Sequence, residues 1–311
     1  WRSVSLSLSS DSLRSLGGIE RPIPQLTSLS LAFTKPYIDR GGSDAISRLV
    51  MFEEAPLLRR VSLRPPFVPS CTVLPYAQLT HITIAGMDWT QLAYILERCP
   101  RLASVRVYPG TGRWPTDVVA ETGVTTLDVG SSVHPSAAAA RSLFTSISAR
   151  HLSTLVLRFL PDPEALGVMI ERSKCTIASL VLDLKYILAT EDDAQITQRI
   201  VRMLPHVRNF DLTLDTFRGA ATFTRPLLSE MSGMAEEGVP RLLPLMRRFS
   251  FRVVNCQPGC EQELVQLTKA RMRSGEFSCL RVACPLPKAC VEELRALSDD
   301  GLDLYGLKEC E

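Results

Sequence analysis

The sequence predicts an α/β solenoid, in which short parallel strands alternate with return segments along the whole chain. Three observations lead to this fold class. A pattern of three apolar residues recurs eleven times. Two residues separate the first apolar residue from the second, and one residue separates the second from the third. The central apolar positions are 21 to 39 residues apart, a period typical of repeats with one strand and one return segment. Many return segments also carry helix signals of their own.

The pattern itself predicts the strand of each unit. The last two apolar residues are two positions apart, so they lie on the same side of a short strand. The first apolar residue is predicted to pack inward just before that strand begins. In the first unit this leading residue is Trp1. The central residues are Val4, Leu29, Val61, Ile82, Val105, Leu127, Leu155, Leu180, Phe210, Phe249 and Leu280. Leu302 and Leu304 form a closing half-unit.

Helices are predicted wherever a return segment combines a start or stop signal with an apolar stripe. The predicted helices cover residues 44–54, 88–99, 136–150, 163–174, 191–204, 262–273 and 288–297. Four prolines exclude a regular helix from the third return, residues 64–75. The longest gap is predicted to hold a surface insertion around residues 229–238.

The alternation of strand and helix determines the predicted architecture. It requires parallel strands and right-handed connections. Each unit buries its apolar edge only against its neighbours, so residues 1–311 are predicted to form one domain with a continuous core. The expected form is a horseshoe with a parallel concave sheet, a helical convex face and about eleven repeats.

Composition narrows the functional classes. With 35 Lys and Arg against 33 Asp and Glu, the net charge is +2, which argues against a nucleic-acid binder. No uncharged apolar stretch reaches the roughly 18 residues that cross a bilayer, so no membrane partner is expected. Nine cysteines and no signal-peptide pattern at Trp1–Ser10 favour free thiols in the cytosol or nucleus.

Several stretches of the chain resemble a known family. Residues 74–107 read LPYAQLTHITIAGMDWTQLAYILERCPRLASVRV, and residues 171–175 read ERSKC ahead of Leu180 and Leu182. Both stretches resemble repeats of the F-box/leucine-rich-repeat proteins of mushroom-forming fungi, and residues 1–6, WRSVSL, are similar to the segment that follows their F-box. The resemblance implies a leucine-rich-repeat solenoid, with the F-box itself upstream of Trp1.

The resemblance also implies a function. In this family the repeats hold a substrate protein and the F-box binds the adaptor of an SCF-type cullin–RING ubiquitin ligase. The chain would then be a non-enzymatic, monomeric interaction domain and substrate receptor. The alternative is a leucine-rich scaffold or sensor without a role in ubiquitination.

The candidate binding residues are the outward strand positions beside each central apolar residue. We expect one partner-facing patch at Arg60, Arg64, His81, Arg106 and Tyr108, and a second at Arg248, Arg252 and Arg281. Arg158, Asp183 and Asp211 lie between them. Arginine suits acidic or phosphorylated segments, because it makes bidentate bonds to carboxylate and phosphate. The alternative is that these charges are merely solvated, or that Arg106 and Arg158 pair with Asp128 and Asp183 on the next strand.

Other chemistry lacks a matching motif. The spacing of the cysteines at 256, 260, 279, 284 and 290 lacks the two-residue interval of most zinc knuckles, and no His lies near it. No HExxH motif, GxSxG motif or complete phosphate-binding loop is present. We therefore expect no catalytic residue, no metal and no cofactor.

Overall fold

The computed structural model describes residues 1–9, 12, 16, 23–33, 50–64, 73–87, 89–109, 119–130, 137–185, 190–214, 220–235, 238–253 and 260–309. The chain divides into two compact units. The first is Trp1–Leu152 with Val168–Cys175, and the second is Ser153–Gly167 with Thr176–Glu311. The expectation of one domain over residues 1–311 stays a prediction.

Short strands recur through both units. They are β1 Ser3–Leu8, β2 Ser28–Phe33, β3 Arg60–Arg64, β4 His81–Met87, β5 Ser104–Pro109, β6 Ala120–Glu121, β7 Thr126–Val129, β8 Ile147–Ser148, β9 Thr154–Leu157, β10 Ser179–Leu184, β11 Asn209–Leu214, β12 Arg248–Val253, β13 Cys279–Val282, β14 Pro285–Leu286, β15 Asp303–Tyr305 and β16 Lys308–Glu309. Strands β6 and β8 form a small parallel pair, as do β14 and β16. The other twelve strands, six in each unit, carry the repeat pattern.

The pairing register matches the predicted pattern. In the first unit one register row contains Val4, Leu29, Val61, Ile82, Val105 and Leu127. In the second unit the equivalent row contains Leu155, Leu180, Phe210, Phe249, Leu280 and Leu304. All of these pairings are parallel, so the α/β repeat fold is confirmed. The number of repeats stays a prediction.

The apolar rows form the core beneath the strands. Leu29, Leu63 and Leu180 are at most 1% exposed, and each such side chain contributes roughly 1.5–3 kcal/mol to stability. In the second unit Phe210 stacks on Phe249 with ring centroids 5.5 Å apart. The first unit begins differently, because Trp1 is 83% exposed. The inward position predicted for Trp1 is therefore wrong, and Val4 and Leu8 bury this edge instead.

Seven α-helices lie in the described return segments. They are α1 Trp89–Arg98, α2 Ala137–Ser146, α3 Pro163–Ser173, α4 Glu191–Arg202, α5 Ala220–Ser232, α6 Glu261–Arg273 and α7 Lys288–Asp299. Six of them agree with predicted helices to within a few residues. For example, α4 begins with a capping box, in which Thr190 N–H donates to Asp193 Oδ2 and Asp193 N–H donates to Thr190 Oγ1.

Three predictions about the returns need correction or fall outside the described residues. The predicted helix 136–150 ends at Ser146, because Ile147 and Ser148 pair as β8 with β6. At the end of the predicted helix 44–54, residues 51–54 form turns, and residues 44–49 lie outside the described residues. Of the proline-rich third return, residues 64–75, the structure describes residues 64 and 73–75, and Tyr76–Gln78 directly after it forms a single 3₁₀ turn.

The surface insertion predicted around residues 229–238 is wrong in its first part. Helix α5 extends to Ser232 and buries Phe223, Leu227 and Met231 completely. Pro226 lies inside this helix. Proline has no backbone N–H and usually breaks a helix, so in the sequence it argues against a helix here despite the apolar stripe. Only residues after the helix leave the regular return, where Met234 and Pro240 form an antiparallel bridge.

A buried arginine closes the end of α5. Arg271 of α6 is 1% exposed. Its Nε and Nη2 donate to the carbonyl oxygen of Met231 at 3.1 and 2.8 Å, and its Nη1 donates to that of Leu243 at 2.8 Å. Its Nη2 also donates to the carbonyl oxygen of Leu242. Burial lowers the pKa of Arg271 to about 10, so the side chain remains charged at neutral pH.

Arg172 closes the end of α2 in the same manner. From α3 it donates to the carbonyl oxygens of Thr145 at 2.8 Å and Phe144 at 2.9 Å, and also to that of Ile147. Its Nε is buried without a hydrogen-bond partner, and burial lowers its pKa. The last turns of two helices, whose carbonyls have no partner within the helix, are thus capped by arginine from the next return.

Candidate partner-binding face

The strands present an open face of alternating polar residues. In β3, Val61 and Leu63 are buried, whereas Arg60 and Arg64 are exposed and Ser62 is half-buried. This alternation follows from the two-residue period of a strand. The candidate residues predicted on strands lie at such outward positions, and Arg158 directly follows β9.

In the first patch, the positive charge of Arg60 has no described carboxylate partner. Arg60 lies beside Ser28 on β2 and His81 on β4, and both Arg60 and His81 are exposed. Burial and, to a smaller extent, the charge of Arg60 lower the pKa of His81. The His81 ring Nδ1 is 2.9 Å from Thr80 Oγ1. Within the described part of the chain, no carboxylate forms an ion pair with Arg60 or Arg64.

Arg106 belongs to a ladder pair. It lies beside Asp128 in the register of β5 and β7, and its Nε is 2.5 Å from Asp128 Oδ2. The Asp128 side chain is only 6% exposed, whereas that of Arg106 is 44% exposed. The ladder pair considered from the sequence is therefore present, and the charge of Arg106 is largely compensated inside the first unit.

Tyr108 packs against the backbone of the neighbouring strand end. A Cβ built on Gly130 would lie 2.4 Å from Tyr108 Cε1, so the ring occupies the space that any larger residue at position 130 would need. Tyr108 is half-buried and faces Ala85 in the register of β4. Its ring is held in place by the fold and forms a firm border of the first patch.

In the second unit, Arg158 and Asp183 also pair. Arg158 Nη1 is 2.6 Å from Asp183 Oδ2, and Lys185 Nζ is 3.3 Å from the other oxygen of the same carboxylate. The Asp183 side chain is 13% exposed. These three residues form a local ion cluster with one excess positive charge, in which Arg158 and Lys185 share a single carboxylate.

The second patch lies at a depression on the open face of the second unit. Arg248, Arg252 and Arg281 are all exposed, and the depression has a volume of about 540 Å³. Residues that line it include Asp211, Arg248, Cys279, Arg281, Asp303 and Tyr305. Arg252 is not among its lining residues. The structure thus brings Asp211 together with two of the three predicted arginines.

Sequence reasoning missed Asp303 and Tyr305. Both residues lie on β15, and Tyr305 is 55% exposed. The sequence predicts the closing half-unit from Leu302 and Leu304, and its outward positions are not among the predicted binding residues. The same alternation that gave the other candidates places residues 303 and 305 on the open face.

The described residues include neither a cluster suited to a metal ion nor a helix suited to spanning a membrane. No three His, Cys, Asp or Glu side chains within the described ranges come together in a way that suits a metal ion. Cys99, Cys175, Cys260, Cys279, Cys284 and Cys290 are free thiols. Cys256 lies outside the described residues. None of the helices that the structure describes is long and apolar enough to cross a bilayer.

No protein-family model matches this chain, and no curated protein is significantly similar to it. Inferences about its function therefore depend on the side chains of the open face and on the motifs quoted above.

Proposed function

We propose that this chain is a protein-binding repeat domain that holds a segment of another protein on its open sheet face. We further propose that it is the substrate-recognition part of an F-box receptor of an SCF-type ubiquitin ligase. The observation that carries the binding role is the first patch. Arg60, Arg64 and His81 are exposed beside small neutral residues, with no carboxylate partner among the described residues.

The chemistry of this patch favours an acidic or phosphorylated segment. Ser28 and Ala32 on β2 are the register neighbours of Arg60 and Arg64, and Ser62 lies between these two arginines on β3. All three side chains present little bulk, so a partner main chain can approach closely. A carboxylate or phosphate placed there accepts charge-assisted hydrogen bonds from Arg60 and Arg64. Protonation of His81 adds a third positive charge at pH values below its lowered pKa.

The binding role is tested by comparative capture. The tagged chain and its R60E/R64E variant are incubated with lysate, and bound proteins are quantified by mass spectrometry. We expect specific partners to be lost from R60E/R64E but kept by R101E/R273E, which has the same net charge. Arg101 and Arg273 are exposed outside the strands. Equal capture by both variants would contradict the first patch as a binding site.

The ligase role is tested with the full-length gene product. We expect a three-helix F-box ahead of Trp1 and co-purification of the ligase adaptor. Partner capture without an F-box and without adaptor would instead identify a scaffold or sensor. The cytosol or nucleus is the compartment that fits the proposal, because the described cysteines are free thiols and reducing compartments preserve them.

A further inference from the structure

The depression on the open face of the second unit contains charges of both signs. Asp211 and Asp303 are acidic, Arg248 and Arg281 are basic, and all four line the same cavity of about 540 Å³. Tyr305, which is 55% exposed, provides an aromatic surface at its border. In the first patch, by contrast, Arg60, Arg64 and His81 have no acidic residue among their described register neighbours.

These four charged side chains do not neutralise one another. No ion pair or hydrogen bond joins any of them to another residue in the described ranges, whereas Arg106 and Arg158 each contact a carboxylate. The register explains the difference. Arg106 lies directly beside Asp128. By contrast, Arg248 lies beside Asn209 and Cys279, and Arg281 lies beside Ser250 and Tyr305.

Each Asp of the depression therefore lies diagonally from an Arg on the adjacent strand, two residues away from the directly opposite position. Asp211 is paired with Ser250, two residues beyond Arg248 on β12, and Asp303 is paired with Cys279, two residues before Arg281 on β13. Diagonal neighbours on adjacent strands have Cβ atoms roughly 7–8 Å apart. A bound molecule can place a negative charge beside each Arg and a positive charge beside each Asp.

The thiol at the centre experiences both signs of charge. Burial is the main cause that raises the pKa of Cys279; Arg248 lowers it, and Asp303 and Asp211 raise it further. A ligand with only negative charge would be attracted by two groups and repelled by the other two. Nucleic acid and polyanions therefore suit this depression poorly, and a ligand with both signs of charge suits it well.

We propose that this depression is a second binding site, specific for a short protein segment that carries acidic and basic side chains together. Arg248 and Arg281 bind carboxylates of the segment, Asp211 and Asp303 bind its Lys or Arg side chains, and Tyr305 packs against its apolar atoms. This inference rests on the proposed protein-binding function and names the chemistry of one partner segment.

The test is selection of a random dodecapeptide library on the whole chain. We expect selected peptides to contain both acidic and basic residues. Selection on R248M/R281M should lose the enrichment of acidic residues, and selection on D211N/D303N should lose the enrichment of basic residues. A peptide selected on the unaltered chain should bind each double variant roughly tenfold or more weakly. R273M is the matched control, because Arg273 is an exposed arginine of α6 outside the depression, and it should bind as the unaltered chain does.

A second readout uses the thiols. The selected peptide should slow modification of Cys279 by a maleimide and leave Cys175, also half-buried, unaffected. Equal melting temperatures of all variants show that the effects are local. Absence of enrichment, or peptides that bind both double variants normally, would overturn the second site.

The two proposals fail in distinguishable ways. Acidic peptides that depend on Arg60 and Arg64 but not on Arg248 and Arg281 would support the first patch and overturn the depression. Mixed-charge peptides that depend on the depression and tolerate R60E/R64E would support the second site, and equal partner capture by R60E/R64E and R101E/R273E would still contradict the first patch.

Discussion

Arginines on the two sides of the strands have opposite surroundings. On the helical side, Arg271 is buried and Arg172 is half-buried, and both donate to carbonyl oxygens at helix ends. On the open face, Arg60 and Arg248 are exposed, and no described carboxylate pairs with them. The difference shows that residue type alone does not indicate function in this chain. An arginine contributes to stability where it caps a helix, and it is available to a partner where its strand neighbours are neutral.

The largest expected effect is at the buried arginine of the second unit. Replacing Arg271 with Met keeps a long side chain but leaves the carbonyls of Met231, Leu242 and Leu243 without their donor. We expect a loss of roughly 3–5 kcal/mol in the free energy of unfolding. Urea denaturation followed by circular dichroism measures it. R273M, on an exposed position of the same helix, is the control and should change little. A loss below about 1 kcal/mol for R271M would contradict the capping role.

The equivalent change in the first unit should cost less. Arg172→Met removes the donor for three carbonyls at the end of α2, but this arginine is half-buried and water can replace part of its contacts. We expect a loss of about 2 kcal/mol in the same denaturation experiment. If R172M lowered the free energy of unfolding more than R271M does, the greater burial of Arg271 would not determine how much each arginine contributes to stability.

Within the open face, paired and unpaired arginines should behave differently. Arg106→Met leaves the carboxylate of Asp128, which is 6% exposed, without the guanidinium, and should cost about 1–2 kcal/mol. Arg60→Met removes no contact with a described carboxylate and should stay within about 0.5 kcal/mol. Equal losses in the two variants would show that the ladder pair adds nothing to stability.

The smallest effect concerns protonation of His81. Because burial and Arg60 lower its pKa, the folded chain takes up this proton at a lower pH than the unfolded chain does. Its contribution to stability is therefore present above the ordinary value of 6.5 and is lost as the pH falls towards the lowered value. NMR titration of the ring protons should give a pKa below 6.5. In R60M it should rise part of the way back, since burial remains. An unchanged pKa in R60M would exclude contact between the two charges.

The candidate site was predictable to the extent that strand alternation determines it. The alternation correctly placed Arg60, Arg248 and Arg281 outward, and parallel register correctly paired Arg106 with Asp128. Helix α5 was not predicted, because Pro226 masks its apolar stripe. The role of Arg271 was not predictable either, because its acceptors are 28 to 40 residues away in the chain.

By itself, the sequence determined the repeat, the parallel register and the face on which each strand residue lies. All three follow from the two-residue period of strands and the local spacing of apolar side chains. The sequence left open whether strand charges are solvated or paired with the next strand, and only the tertiary structure decided between these alternatives, because the pairs join residues in different repeats. Arg106 and Asp128 share a register row, whereas Arg248 and Asp211 lie diagonally. Between these two pairs, a shift of two residues along a strand accompanies the difference between an ion pair and two charges that form no described ion pair.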